Sequence, residues 1–172
     1  MQQLAYAWSP DHPETLTVGE MHAIRTAVFS VFFKVANLYH AITPHYAAFG
    51  FTPPSPGVMA RDLSEKIEIS IIQHCPTFQK SGTHHDLKRA GNMWEVKICQ
   101  QGLTINQSAT IRGEHYIVVN YARATVEPTR IWILWGAADG WFSLRRPNTN
   151  ARRLMPTLAD SAIQMLYDVR DS

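Results

Sequence analysis

Residues 82–99 read Gly82-Thr83-His84-His85-Asp86-Leu87-Lys88-Arg89-Ala90-Gly91-Asn92-Met93-Trp94-Glu95-Val96-Lys97-Ile98-Cys99. After Pro76 the period shortens from 3.6 toward 2, and Arg89-Ala90-Gly91-Asn92 carries a Gly-Asn pair, a hairpin signal, which predicts strands over 83–88 and 93–99. Asp86 then lies late in the first strand. Glu95 and Lys97, two residues apart, project to one face of the second. Two carboxylates and an ammonium can thus converge on one edge of a hairpin. Oxygen ligands grouped in this way suit Mg²⁺ or Mn²⁺, hard ions that keep waters for a substrate phosphate to displace. The lysine adds a compact positive charge with rotatable donors. The strand Trp94-Glu95-Val96-Lys97-Ile98 is apolar around its two charges, and charges are costly there unless paired or bound to metal. The plainer alternative puts both on a solvated face, with Trp94, Val96 and Ile98 buried. Asp86-Leu87-Lys88 is a second acid-x-lysine triplet.

Working outward, the stretch before this hairpin is helical. Ile24, Val28, Val31, Val35, Leu38 and Ile42 recur at threes and fours, predicting a helix over about 20–42 with a cap near Thr17. Phe29, Phe32 and Phe33 widen its apolar stripe, as expected of a central core helix or of a dimer-forming face. Thr52-Pro53-Pro54-Ser55-Pro56-Gly57 cannot continue it, because prolines remove donors and fix φ. A second helix is expected over about 58–74, with Ala60, Leu63, Ile67 and Ile71 on one face and Pro76 ending it. Residues 1–15 read as an irregular arm.

Beyond the hairpin, strands are expected over 115–121 and 130–135, with Glu127-Pro128 turning between them, and a short run over 140–144. Arg145, Arg146, Arg152 and Arg153 follow with no acid between 143 and 153; with Trp141 and Phe142 they offer donors and rings for a nucleic-acid strand. An amphipathic helix is expected over about 158–167. The order is helix, helix, strands, helix, which predicts an α/β or mixed α+β domain with a central mixed β-sheet flanked by helices.

Composition bounds the rest. The chain has 172 residues, 45% hydrophobic and 17% charged, the profile of one packed domain spanning 1–172 rather than a disordered tail. Its formal charge is only +2, so nucleic acid must be held by a local patch. Two cysteines, Cys75 and Cys99, are too few for a disulfide framework. With no basic, apolar leader and no run of about 20 apolar residues, a cytoplasmic location without membrane contact is expected.

An acid on a preceding helix, an aspartate ending one strand and Glu-x-Lys on the next resemble the PD-(D/E)XK nuclease superfamily, the restriction-endonuclease-like fold. The likeness covers roughly 57–135. It implies that Asp86 and Glu95 bind metal, that Lys97 is the catalytic lysine, and that a helix carboxylate joins them as a further metal-site and catalytic group. Glu68 lies about 80° from the centre of its helix's apolar face and Glu65 about 140°, which favours Glu68. Glu65 reads as a solvated charge beside Arg61. Two departures stand out: His85 occupies the place of the family's proline, and 100–114 lacks an evident crossover helix. The resemblance implies a Mg²⁺- or Mn²⁺-dependent endonuclease acting on DNA before RNA. The alternative from another class is a non-catalytic nucleic-acid-binding or homodimeric assembly protein of the same fold.

Overall fold

A computed structural model describes residues 15–53, 63–82, 86–106, 110–144 and 149–171 of the chain. The expected arm over 1–15 lies outside the described residues except for Thr15. The first helix, α1, spans Val18–Ala48. Its start is a capping box: the Thr17 hydroxyl accepts from Glu20 N at 3.1 Å, and Thr17 N donates to Glu20 Oε2 at 2.8 Å. At its end Gly50 adopts φ 73°, letting Gly50 N reach Ala47 O at 3.0 Å and Phe51 N reach Tyr46 O at 2.9 Å. This Schellman closure falls two turns beyond the last residue of the apolar repeat. The second helix, α2, spans Leu63–His74. The part of it expected over 58–62 lies outside the described residues.

The two helices share one face of a six-stranded sheet. Its strands are β1 (Gln79–Lys80), β2 (Leu87–Arg89), β3 (Asn92–Cys99), β5 (His115–Ala122), β6 (Glu127–Leu134) and β8 (Ile163–Asp168), in spatial order β1-β2-β3-β5-β6-β8. β3 and β5 run parallel, and every other neighbouring pair is antiparallel. The fold is mixed α/β, as the order of elements predicts. Ile24, Val28, Phe32, Ile67 and Ile71 of the helices form one core with Trp94, Val96, Ile117, Val119, Ile131 and Ile133 of the sheet. Ser70 Oγ donates to Ala27 O at 3.1 Å, tying α2 to α1 within it.

The opposite face is covered differently. A two-stranded antiparallel sheet, β4 (Thr104–Asn106) with β7 (Ala151–Arg153), and the single turn α3 (Pro156–Ala159) cover it, Ile105, Ala159 and Leu154, which follows β7, forming a second core with Tyr116, Val118, Trp132 and Leu134. Among the described residues no helix is long and apolar enough to cross a membrane.

Several sequence expectations change. The helix expected over 158–167 is α3, a 3-10 turn and then β8, because this segment pairs with the open edge of β6. The run over 140–144 begins in a 3-10 turn, Asp139–Trp141, not a strand. Glu127-Pro128 opens β6 rather than turning before it. The crossover between β3 and β5 holds β4, and no helix is seen among its described residues, yet the parallel pairing forms.

The hairpin turn is two residues tighter than expected, one on each side. β2 and β3 are joined by Ala90 at φ 48° and Gly91 at φ 87°, two successive left-handed residues. Such a pair matches the twist of the strands, but alanine is strained in that region. Ala90 is exposed, so Ala90→Asn is expected to raise stability by about 0.5–1 kcal/mol, read as a higher urea midpoint with unchanged slope.

Candidate active site

The tight hairpin makes β2 short, and its ladder with β3 ends at Leu87 opposite Trp94. Asp86 stands just past that end. Its Oδ2 accepts from Val96 N at 2.7 Å, so a side chain continues what the backbone ladder began and fixes the carboxylate at the edge of β3. Glu95 and Lys97 pair with Tyr116 and Val118, residues of the second core, and therefore project to the face opposite α1 and α2. Lys97 Nζ donates to Glu95 Oε2 at 2.6 Å and stands 4.0 Å from Asp86 Oδ2. All three side chains are partly accessible, Lys97 most at 32%.

Glu68 approaches from α2, which packs on β3. Burial raises its carboxyl to about 7; the Asp86 carboxylate adds to the rise, Lys97 opposes it, and Glu65 and Glu95 contribute smaller upward pushes. Of the two helix acids, Glu68 is half-buried and Glu65 exposed. The four residues read as one site, Asp86, Glu95, Lys97 and Glu68, thus share one electrostatic neighbourhood around the open edge of β3. Three carboxylates face one ammonium.

The donor set is wholly oxygen, the chemistry a hard divalent ion requires. Among the described residues no three His, Cys, Asp or Glu gather closely enough to hold an ion as they stand. The carboxylates are instead spaced around Lys97, with Glu95 turned onto its ammonium.

The arginine segment separates into three parts. Arg145 and Arg146 lie outside the described residues. Arg152 is buried and its donors are engaged: Nη1 to Asp139 Oδ1 at 2.6 Å, Nη2 to Asp139 O at 2.8 Å and Nε to Ser143 O at 3.1 Å. Arg152 therefore ties a loop together, which corrects its reading as a phosphate contact. Arg153 is exposed. Phe142 is buried in the second core, which withdraws it from stacking on bases. His84 and His85 lie outside the described residues.

Sequence reasoning missed two charged clusters. Glu20 was legible as half of a capping box, since Thr17-Val18-Gly19-Glu20 carries that spacing, but its ion pair with Arg89, 69 residues away, had no local signal. Asp168 with Arg130 and Arg170 is the second. No family model matches the chain, and no curated protein matches it.

Proposed function

We propose that the chain is a nuclease of the PD-(D/E)XK kind, hydrolysing phosphodiester bonds of nucleic acid with a divalent ion. The observation that supports this reading best is the convergence of Asp86, Glu95 and Lys97, with Glu68 beside them, at one sheet edge. Asp86 and Glu95, with Glu68, would hold Mg²⁺ or Mn²⁺, which when bound supplies Lewis acidity at the scissile phosphate and lowers the pKa of water. Asp86 is positioned before any ion arrives, by the Val96 N–H. Lys97 sits where its ammonium can orient the attacking water or donate to charge growing on a phosphate oxygen. Water adds its oxygen to phosphorus, the P–O bond to one sugar breaks, and the departing oxygen takes a proton.

The direct test is cleavage of DNA and RNA, single-stranded and duplex, with and without Mg²⁺. Calorimetric titration should also show divalent binding weakened at least about tenfold in Asp86→Asn and in Glu95→Gln, since each removes a charged oxygen ligand. Unchanged binding in both variants would place the ion elsewhere.

A second reading, a homodimeric assembly protein, is favoured by one observation. No residue of α1 beyond Val35 is buried, although Leu38, Ile42 and Tyr46 continue its apolar stripe, and Leu38 is 54% exposed. A stripe of that length is the kind of surface that association covers. Light scattering together with the cleavage assay separates the readings: a dimer without cleavage favours assembly.

A further inference from the structure

At the far end of β3 from the hairpin, register lines up a row of side chains across four strands. Cys99 stands beside Asn120, Asn120 beside Arg130, and Arg130 beside Asp168. Directly paired residues project to the same face, as do residues two apart in a strand. The row therefore lies on the face that carries Glu95 and Lys97. Arg130 is two strands across from Lys97, about 10 Å, and one two-residue step along, about 7 Å.

Two members of the row are fixed from below. Asn120 is buried; its Nδ2 donates to Gly102 O at 2.8 Å and Cys99 O at 3.3 Å, and its Oδ1 accepts from the Trp132 indole at 2.9 Å. These bonds hold the turn that presents Gln100 and Gln101. Asp168, its side chain 4% exposed, accepts from Arg170 N at 3.0 Å and Arg170 Nη2 at 2.6 Å, and forms an ion pair with Arg130, whose Nε stands 2.9 Å away. The Arg170 bonds, against burial and with help from Arg130, keep its carboxyl well below the usual carboxylate range.

Above the row opens a cleft of about 570 Å³, lined among others by Gln100, Gln101, Arg123, Arg130 and Arg170. Three arginines line the cleft with one carboxylate, Asp168, which Arg130 and Arg170 engage at the base. Arg130 and Arg170 keep side-chain exposures of 39% and 70%, and Arg123 is exposed. A guanidinium carries five donors in a planar fork, and Arg130 is held beside Asp168 by their ion pair. The buried carboxylate orients the Arg130 and Arg170 groups, and their exposed parts, together with exposed Arg123, turn positive charge toward the cleft. Bidentate contact with phosphate is what such forks favour, and neighbouring amides can bond phosphate or sugar oxygens.

We propose that this cleft is a phosphodiester-binding subsite, gripping the backbone of a nucleic-acid strand a short way along from the bond that Lys97 addresses. The identity of the anion rests on the nuclease reading. The cation-lined cleft on the same sheet face is independent of it. The cleft supplies the local patch that a chain of +2 formal charge needs.

The test is fluorescence anisotropy with short DNA and RNA oligonucleotides, single-stranded and duplex, in metal-free buffer, so that binding is read without cleavage. Arg123→Gln and Arg170→Gln should each weaken binding several-fold and make log affinity against log salt shallower by roughly one counterion per lost contact. Arg123→Lys should recover part of the loss. Because Arg170 also holds Asp168, Arg123→Gln is the variant expected to keep the wild-type melting temperature. Unchanged affinity and slope in both glutamine variants would overturn the subsite, as would no binding of any oligonucleotide by wild type, or equal competition by an acidic peptide. Loss of binding in Arg123→Gln in a protein that cuts nothing in Mg²⁺ would uphold the subsite and remove the nuclease reading. Cleavage with an unchanged salt slope would do the reverse.

Discussion

Lys97→Ala is expected to lower single-turnover cleavage in Mg²⁺ by at least about 100-fold, the scale seen when one donor to a developing oxyanion is removed. Its ammonium lies 2.6 Å from Glu95 and 4.0 Å from Asp86, at the one place where three carboxylates could otherwise only repel. The same substitution should leave the fold intact. With 32% of the side chain accessible, water screens the pairs, and their loss is expected to cost about 1 kcal/mol or less in a thermal melt. Lys97→Arg should rescue cleavage poorly, because a planar fork cannot take the position of a compact ammonium between two carboxylates. Wild-type rates in Lys97→Ala would take the lysine out of the chemistry. Absence of cleavage by the wild type on every DNA and RNA tested would shift the balance to assembly.

The candidate site was legible in part because its parts are close in sequence: alternation puts Glu95 and Lys97 on one face, whereas Asp86, expected late in a strand, stands just before β2. Gly91 announces a tight turn, and that turn brings Asp86 back beside them. Glu68 needed only a helical wheel. What the alternation could not give was the direction of Asp86 toward Val96 N, or the truncation of β2 that makes room for it. The place of Arg152 was equally hidden: its partner Asp139 is 13 residues away and reached through a 3-10 turn with no periodic signal.

The carboxy-terminal segment shows where periodicity fails in principle. A strand covered on both faces has no polar side, and short apolar runs of that kind do not distinguish helix from strand. Leu166 enters the core under α1 and α2, while Ile163 and Met165 pack on the second core. Only the open edge of β6 decides for strand. Pro128 misled in a related way, since proline is admissible near the first residue of a strand, and here it is the second residue of β6, beside a register shift at Asn120 and Tyr121.

Glu20→Ala is expected to cost about 3–5 kcal/mol of stability, the scale for breaking a buried ion pair from one side. Glu20 and Arg89 are 8% and 11% exposed, with Arg89 Nε 2.8 Å from Oε1 and Nη2 2.9 Å from Oε2, a two-point contact. The carboxylate also caps α1 and accepts from Thr77 Oγ1 at 2.6 Å, just beyond α2, while Arg89 Nη2 reaches Thr15 O at 3.2 Å. One carboxylate thus joins the start of α1, the end of α2 and the hairpin that carries the site. Thr17→Ala, which removes a cap alone, should cost only about 1 kcal/mol. Burial pushes the Glu20 carboxyl up, but the bonds from Arg89, Thr77 and Thr17 and the Arg89 charge outweigh it and hold it at about 2, below its ordinary 4.5. The native state therefore binds this proton less readily than the unfolded chain. Its stabilisation, roughly 3 kcal/mol by linkage, is complete above about 4.5 and is lost as pH falls toward about 2. Glu20→Gln cannot titrate. Urea midpoints measured from neutral pH downward should show wild type and Glu20→Gln far apart at neutrality and converging across that window. A constant gap would mean that the charge on Glu20 contributes nothing beyond the shape of its side chain.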